Sequence, residues 1–359
     1  MSMHFRVLEV KVKEKRKTYF DILRLVAIFL VIFNHTNGYS LYMESEGYKT
    51  WLYMFITMLT RINVPLFFMI SGALLLPKDE KISIVIKERV YRFVVITIFA
   101  NSLIYLIRSG IVGANIGGMI SGICTGKIEG SYWYLYAYIG FLLLLPCLRK
   151  MVVNLNEKDF FWIFVLHIVF LTVIPAVNYI LVVKYNLSIS VSTDLKIPLV
   201  VEKSFFYPIM GYYMDKILDM SKIKMKTIVR LLGVSFIGIV ISSMFTYHEG
   251  MRIGFTQNFV HLFDYVTTIS CFVTVKYLFS KRIIGERGHA LISLGGTLTF
   301  GMYLFDPVLK HFFYTRYTSL INDIFPSLVV ALTWCIFSMI VGGLLTYILK
   351  KFPVIRKFI

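Results

Sequence analysis

Ten runs of about twenty mostly apolar residues recur between Tyr19 and Leu349, and they commit the chain to a bilayer. Backbone polar groups find no partner in hydrocarbon, so each run must bond within its own helix. The expected fold is therefore all-α and polytopic, with about ten transmembrane helices. The runs are Tyr19–Asn37, Trp51–Leu76, Val90–Ile107, Tyr132–Leu148, Phe160–Val183, Ile197–Met214, Ile228–Tyr247, Phe259–Phe279, Ala290–Phe312 and Phe325–Leu349. Only 16% of residues are charged, against about 25% in soluble domains, and no stretch between the runs is long enough for a soluble domain. The first run is too long for a signal peptide and lacks a small-residue cleavage site, so it is expected to remain as the first span.

The net charge of +18 invites a nucleic-acid reading, but its distribution points elsewhere. Alternating the loops from an inner N-terminus puts 27 Lys and Arg inside and 8 outside, with Arg24, Arg61 and Lys203 within spans, which accounts for all 38. The positive-inside rule explains that segregation and places both termini in the cytoplasm. Residues 1–17 form a basic cytoplasmic tail, 18–351 the transmembrane domain and 352–359 a second short tail. The tail reads as a topology signal, with anionic lipid as a secondary contact. The four cysteines sit in or near apolar stretches without a CxxC, and are read as buried apolar residues. Residues Ile111–Gly130 are Gly-rich and fit an outer loop, a surface helix or a re-entrant piece equally well.

The first run carries Asp21, Arg24, Asn34 and His35, which lipid alone does not tolerate. Arg24 and His35 are eleven residues apart, a net rotation of only ~20° and a rise of roughly 16 Å, so they share one helix face. Asp21, three residues before Arg24, can pair with it. The structural alternative is a snorkelling arginine and a histidine bonded to a neighbouring helix. The functional one is a general base near neutral pH on the outer side.

Other polar residues punctuate the runs. Pro65 predicts a kink in the second, with Asn63 answering the freed carbonyl, Arg61 facing the polar interior and Ser71-Gly72 allowing close helix approach. Arg89 and Arg92 lie three apart at the inner start of the third, where they serve as anchors or as forks for phosphate. Tyr132-Trp133-Tyr134-Leu135-Tyr136 reads as an interfacial aromatic belt or as a platform for sugars. Asp306, beyond Tyr303, must be protonated, paired or wet. His167, His261 and His289 lack ligand-spaced partners and read as satisfied. No metal, nucleotide-loop or Ser-His-Asp signature is present.

Four stretches together resemble the acyltransferase-3 family of membrane acyltransferases. They are Asp21-Ile-Leu-Arg24 with His35, Val64-Pro65-Leu66-Phe67-Phe68-Met69-Ile70-Ser71-Gly72, Tyr132 through Pro146, and Leu298-Thr299-Phe300-Gly301-Met302-Tyr303-Leu304. Their order fits from about Lys17 to Lys351. The resemblance implies ten spans and O-acetyl transfer from acetyl-CoA to a hydroxyl of a surface or envelope carbohydrate or glycolipid. No cofactor is held permanently, and acetyl-CoA is a substrate. By that analogy His35 and Arg24 are the catalytic pair, and Arg89 and Arg92, with Arg61, meet the acyl donor. Asp306, Tyr303, Trp133, Asn63 and Ser71 line the cavity for the acceptor. The family pattern is Arg-x-Arg where this chain has Arg-x-x-Arg, and relatives usually carry His at the place of Asp306.

The expected protein is thus a multi-pass enzyme of the cytoplasmic membrane, typical of bacterial relatives, with lipid, acetyl-CoA and a carbohydrate as partners and no nucleic acid. A carrier of a small amino acid such as serine, or a scaffold subunit of an envelope-assembly complex, are the competing classes.

Overall fold

The computed structural model describes residues 17–36, 48–192, 195–245, 263–281, 285–321 and 327–359. The basic tail before Lys17, Asn37, Tyr247, His261 and the start of the Phe259–Phe279 run lie outside them. The main helices are α1 (Thr18–His35), α2 (Tyr48–Thr60), α3 (Asn63–Leu75), α4 (Tyr91–Gly113), α5 (Ile116–Thr125) and α6 (Trp133–Val153). They are followed by α7 (Glu157–Ile168), α8 (Lys203–Tyr212), α9 (Met225–Phe245), α10 (Asp264–Lys281), α11 (Glu286–Leu309) and α12 (Ser327–Leu349). No strand occurs among the described residues.

Eight helical segments among the described residues are long and apolar enough to cross a membrane: Thr18–His35, Met54–Leu75, Ile82–Gly110, Gly130–Val153, Glu157–Val182, Met225–Phe245, Glu286–Ile321 and Leu328–Leu349. The remaining two of the ten expected spans take other forms. Ile197–Met214 is broken at Glu202, whose extended backbone (φ −76°, ψ 126°) separates a one-turn helix from α8. The other becomes α10, which carries Asp264, Lys276 and Lys281. Charge of this kind must face protein rather than lipid. Accordingly α8 packs on α3, and α10 packs on α1 and α9. Lys203 of α8 meets Asp264 of α10 at 3.4 Å.

α1 is the central helix. It touches α2, α3, α10, α11 and α12, and Leu23, Ala27, Ile28 and Ile32 are fully buried along it. Two glycines set a close crossing between α3 and α8. A Cβ on Gly72 would lie 2.0 Å from the Pro208 carbonyl oxygen, and one on Gly211 2.0 Å from that of Met69.

The basic segments expected inside gather at one end. Glu80 binds Arg89 (Nη2–Oε1 2.5 Å) and Arg149 (Nη2–Oε2 2.9 Å), which ties the second loop to the end of α6. Lys17 bonds Asp215 at 3.0 Å, Lys276 donates to the Met214 carbonyl at 2.7 Å, and Arg92 Nε donates to the Phe358 carbonyl at 3.0 Å. Lys17 and the C-terminal residues therefore share the end that the charge rule assigns to the cytoplasm. Burial pulls the Glu80 carboxylate up less than its arginines pull it down: the Arg89 hydrogen bond leads, and Arg149 adds to it, so that it lies at about 2, below the usual 4.5.

Several sequence expectations change. The chain breaks at Arg61–Ile62 and restarts at Asn63, so Pro65 sits in a first turn where its missing N–H costs nothing. Asn63 Oδ1 accepts from the Val64 N–H at 2.6 Å instead of answering a carbonyl. Arg89 lies in a π-helical turn, Val85–Val90, not in the α-helix that carries Arg92. Cys124 and Cys147 are exposed, Cys271 is half-buried and only Cys335 is buried. An outward position on such a bundle meets apolar lipid, so composition alone does not separate it from the core. His167 is buried against Phe206 with Nδ1 on the Val200 carbonyl, but its Nε2 has no hydrogen-bond partner among the described residues, so it is only half satisfied. Residues 116–125 form a short surface helix, capped by Asn115 and ended by Gly126 at φ 67°, with Ile116 and Ile120 exposed.

Candidate functional site

The face of α1 that carries Arg24, Val31 and His35 is lined by four cavities from one end of the bundle to the other. The first is a vestibule of about 870 Å³ at the basic end, walled by Lys17, Arg24, Lys78, Arg92, Asp215 and Lys216. It shares Arg24, Leu74, Arg92 and Thr297 with an inner cavity of about 340 Å³. There Arg24, Arg89 and Arg92 stand beside an apolar wall that includes Phe67, Phe93 and Phe300.

The inner cavity shares Val31, Val64, Tyr134 and Tyr303 with a junction of about 100 Å³, which also holds His35, Arg61, Asn63 and Lys203. The junction shares Asn34, His35, Ser131 and Trp133 with an outer cavity of about 610 Å³. Arg108, Glu129, Asp306, Lys310 and Tyr314 complete that outer wall. His35 thus faces the cavity series and not lipid.

His35 is held from several sides. Its Nδ1 lies 2.6 Å from Oδ2 of Asp306, and Oδ1 of Asp306 accepts the Ser338 hydroxyl at 2.9 Å. Asp306 is 1% exposed, so its oxygens are spent on these two donors. With Asp306 as carboxylate, the imidazole proton sits on Nδ1 and the Nε2 lone pair is left for chemistry. Lys310, one turn beyond Asp306, donates to the His35 carbonyl at the open end of α1, where cations suit both the orphan carbonyls and the dipole. Tyr314 reaches the next carbonyl, that of Thr36, at 3.1 Å.

At the other end of the face, Arg24 Nη1 bonds the fully buried Asp21 at 2.7 Å. Asp21 fits because Gly296 of α11 has no side chain; a Cβ there would lie 2.4 Å from Asp21 Oδ1. The aromatic block turns inward. The Tyr132 hydroxyl donates to the Leu304 carbonyl at 2.7 Å, the Tyr303 hydroxyl donates to the Ser131 carbonyl at 2.7 Å, and Tyr134 packs edge-on to Tyr303. Trp133 is 48% exposed at the outer mouth. Ser71 lines the inner cavity with its hydroxyl on the Phe67 carbonyl.

The sequence-expected residues therefore divide into two groups. Arg24, Arg89, Arg92 and Ser71 meet in the inner cavity; His35, Arg61, Asn63 and Trp133 meet in the junction; Tyr303 borders both, and Asp306 backs His35 from the outer cavity. Arg61 lines no cavity with Arg89 or Arg92. Sequence reasoning missed Glu80, Arg149, Ser338 and Lys310. Of these only Lys310 left a signal, its i,i+4 spacing from Asp306.

Among the described residues no group of three or more His, Cys, Asp or Glu is placed to hold a metal. Comparison with curated proteins and with solved structures gave no match. The family model for an acyltransferase domain, Acyl_transf_3, matches residues 17–348, nearly the whole length of the chain. The chain belongs to the acyltransferase-3 family of membrane acyltransferases.

Proposed function

We propose that this membrane acyltransferase moves an acetyl group from cytoplasmic acetyl-CoA to a hydroxyl of a carbohydrate presented at the outer face. The observation that carries the reading is the row of cavities with shared walls, with arginines at the inner end and the His35–Asp306 pair toward the outer one. Donor and acceptor would then approach from opposite sides of the bilayer and meet near the junction.

In this mechanism the donor's phosphates lie in the basic vestibule and its thioester reaches past Arg24 toward Tyr303. His35 Nε2 takes the proton of the acceptor hydroxyl, and the oxygen attacks the thioester carbonyl. The C–S bond breaks as the ester forms, and the imidazolium returns its proton to the leaving thiolate. Asp306 keeps the imidazole in the required tautomer and stabilises its cation while that proton is held. Arg24 and His35 are roughly 16 Å apart along α1, so Arg24 acts on the donor's body and not on the reacting carbonyl.

The test is acetyl transfer in proteoliposomes loaded with acetyl-CoA, with glycan supplied outside. Ester formation and CoA release that vanish together in His35→Ala are expected. Counterflow of a small solute without CoA release would instead establish the carrier reading.

A further inference from the structure

Asn63 is 6% exposed, and its side-chain amide is only half used. Oδ1 accepts the Val64 N–H at 2.6 Å. That contact also fixes which end of the amide is which, because a backbone N–H must meet the oxygen. Nδ2 is the end left over, and among the described residues nothing accepts from it. Nor is it one of the sealed polar atoms of the interior, so it keeps access to open space. The cavity that Asn63 lines is the junction.

The junction is the smallest of the four cavities, about 100 Å³, and His35 lines it too. Val64 belongs to both the junction and the inner cavity. A donor that enters from the inner cavity therefore passes Val64 on its way to His35, and Asn63 is the next residue on that wall. Asn63 also opens α3, so the positive end of the helix dipole stands behind the amide. The two cations of the junction, Arg61 and Lys203, have partners of their own; Lys203 stands 3.4 Å from Asp264. The Asn63 NH₂ offers its N–H without giving up another contact.

Resting on the acyl-transfer reading, we propose that Asn63 is a further catalytic residue, whose Nδ2 donates to the thioester carbonyl oxygen as it becomes an oxyanion. His35 Nε2 takes the proton of the acceptor hydroxyl, the hydroxyl oxygen bonds to the carbonyl carbon, and the C=O π pair moves onto the carbonyl oxygen. When C=O re-forms, the C–S bonding pair leaves on sulfur, which takes the proton from His35. The negative charge of the intermediate arises in a small interior cavity, where a preorganised dipole counts for most. The Val64 contact holds the amide in place throughout, so nothing has to reorganise at the moment of reaction.

The test compares acetyl-CoA with its dithioester, in which C=S replaces the reacting C=O. Both are loaded in turn into proteoliposomes, with a total envelope-glycan extract outside as acceptor. Sulfur is the poorer hydrogen-bond acceptor, so a donor aimed at that atom helps acetyl-CoA more. The ratio of apparent kcat/KM for the two donors is read on one preparation, so it does not depend on how much of a variant has folded. Asn63→Ala is expected to lower kcat on acetyl-CoA by about 10²- to 10³-fold, to keep its KM within about twofold, and to slow the dithioester by about tenfold or less. Asn63→Asp keeps the acceptor for Val64 but lacks the N–H, and should collapse the ratio as well. An unchanged ratio in Asn63→Ala, at whatever rate, overturns the inference. So does a ratio that falls in Asn63→Ala and returns to the wild-type value in Asn63→Asp, which would trace the effect to the Val64 contact. Wild-type protein that transfers no acetyl group sinks the acyl-transfer reading itself, a result distinct from any behaviour of the Asn63 variants.

Discussion

Nδ1 of His35 and Oδ2 of Asp306 meet at 2.6 Å although 271 residues separate them in sequence. The contact joins the end of α1 to the middle of the helix that runs through α11, and it gives Asp306 a defined place. The carboxylate must accept twice, from the imidazole and from the Ser338 hydroxyl. Asn offers one acceptor oxygen and an NH₂, so Asp306→Asn either orphans Ser338 or forces the imidazole proton onto Nε2. In the second state His35 has no lone pair toward the acceptor. Acetyl transfer in proteoliposomes should fall by about 10²- to 10⁴-fold, the range seen when a base loses its orienting carboxylate. Ser338→Ala removes one hydrogen bond and leaves the dyad intact, so a loss of about tenfold or less is expected. Equal rates for Asp306→Asn and wild type would remove the dyad from the reaction.

Arg92 faces both the vestibule and the inner cavity. If it grips the donor before and during reaction alike, its loss weakens binding without touching chemistry. Arg92→Gln should raise the KM for acetyl-CoA by about tenfold and keep kcat within about twofold. A fall in kcat at unchanged KM would move Arg92 from donor binding to the chemical step.

How much of this was open to sequence reasoning depends on how far apart the partners lie. The shared face of Arg24 and His35 was legible, because helix geometry alone fixes it. The common basic end was legible from loop charges. The partner of His35 was not, since nothing local to residue 35 or 306 names a contact across 271 positions. The π-turn that separates Arg89 from the α-helix of Arg92 has no sequence mark. Cys147 was misplaced because lipid-facing and core-facing apolar residues look alike in a membrane chain. In the irregular spans Lys203 alone was legible as a charge within a run, and it meets Asp264 at 3.4 Å; the break at Glu202 left no mark in the sequence.

Glu80 offers a pH test at the inner rim. Its carboxylate is depressed from 4.5 to about 2 by hydrogen bonds from Arg89 first and Arg149 after it. A depressed acid contributes stability that is complete above its unfolded value and is lost as pH falls through the folded one. The wild-type melting temperature in detergent should therefore hold above about pH 4.5 and decline toward pH 2. Glu80→Gln should melt lower at neutral pH, because the buried Arg149 loses its carboxylate, and should show a shallower decline across that window. Parallel acid profiles for the two proteins would count against the clamp.

The α3–α8 crossing links stability to the site. Gly72 and Gly211 face each other's backbones, and an added Cβ would overlap a carbonyl group at 2.0 Å in either case. Backbone cannot step aside as a flexible side chain would, so the two helices must part. Gly211→Ala should cost on the order of 1–3 kcal/mol, the usual penalty of overpacking, read as a lower melting temperature in detergent. Parting the helices also carries Lys203, at the start of α8, away from His35 and Arg61. The surviving folded fraction should therefore transfer acetyl more slowly, read as a lower kcat/KM for the acceptor, because both helices of the crossing contribute to the junction wall. Gly233, by comparison, has open space around it, and Gly233→Ala should change neither quantity. If Gly211→Ala and Gly233→Ala behave alike, the close crossing does not position the outer site.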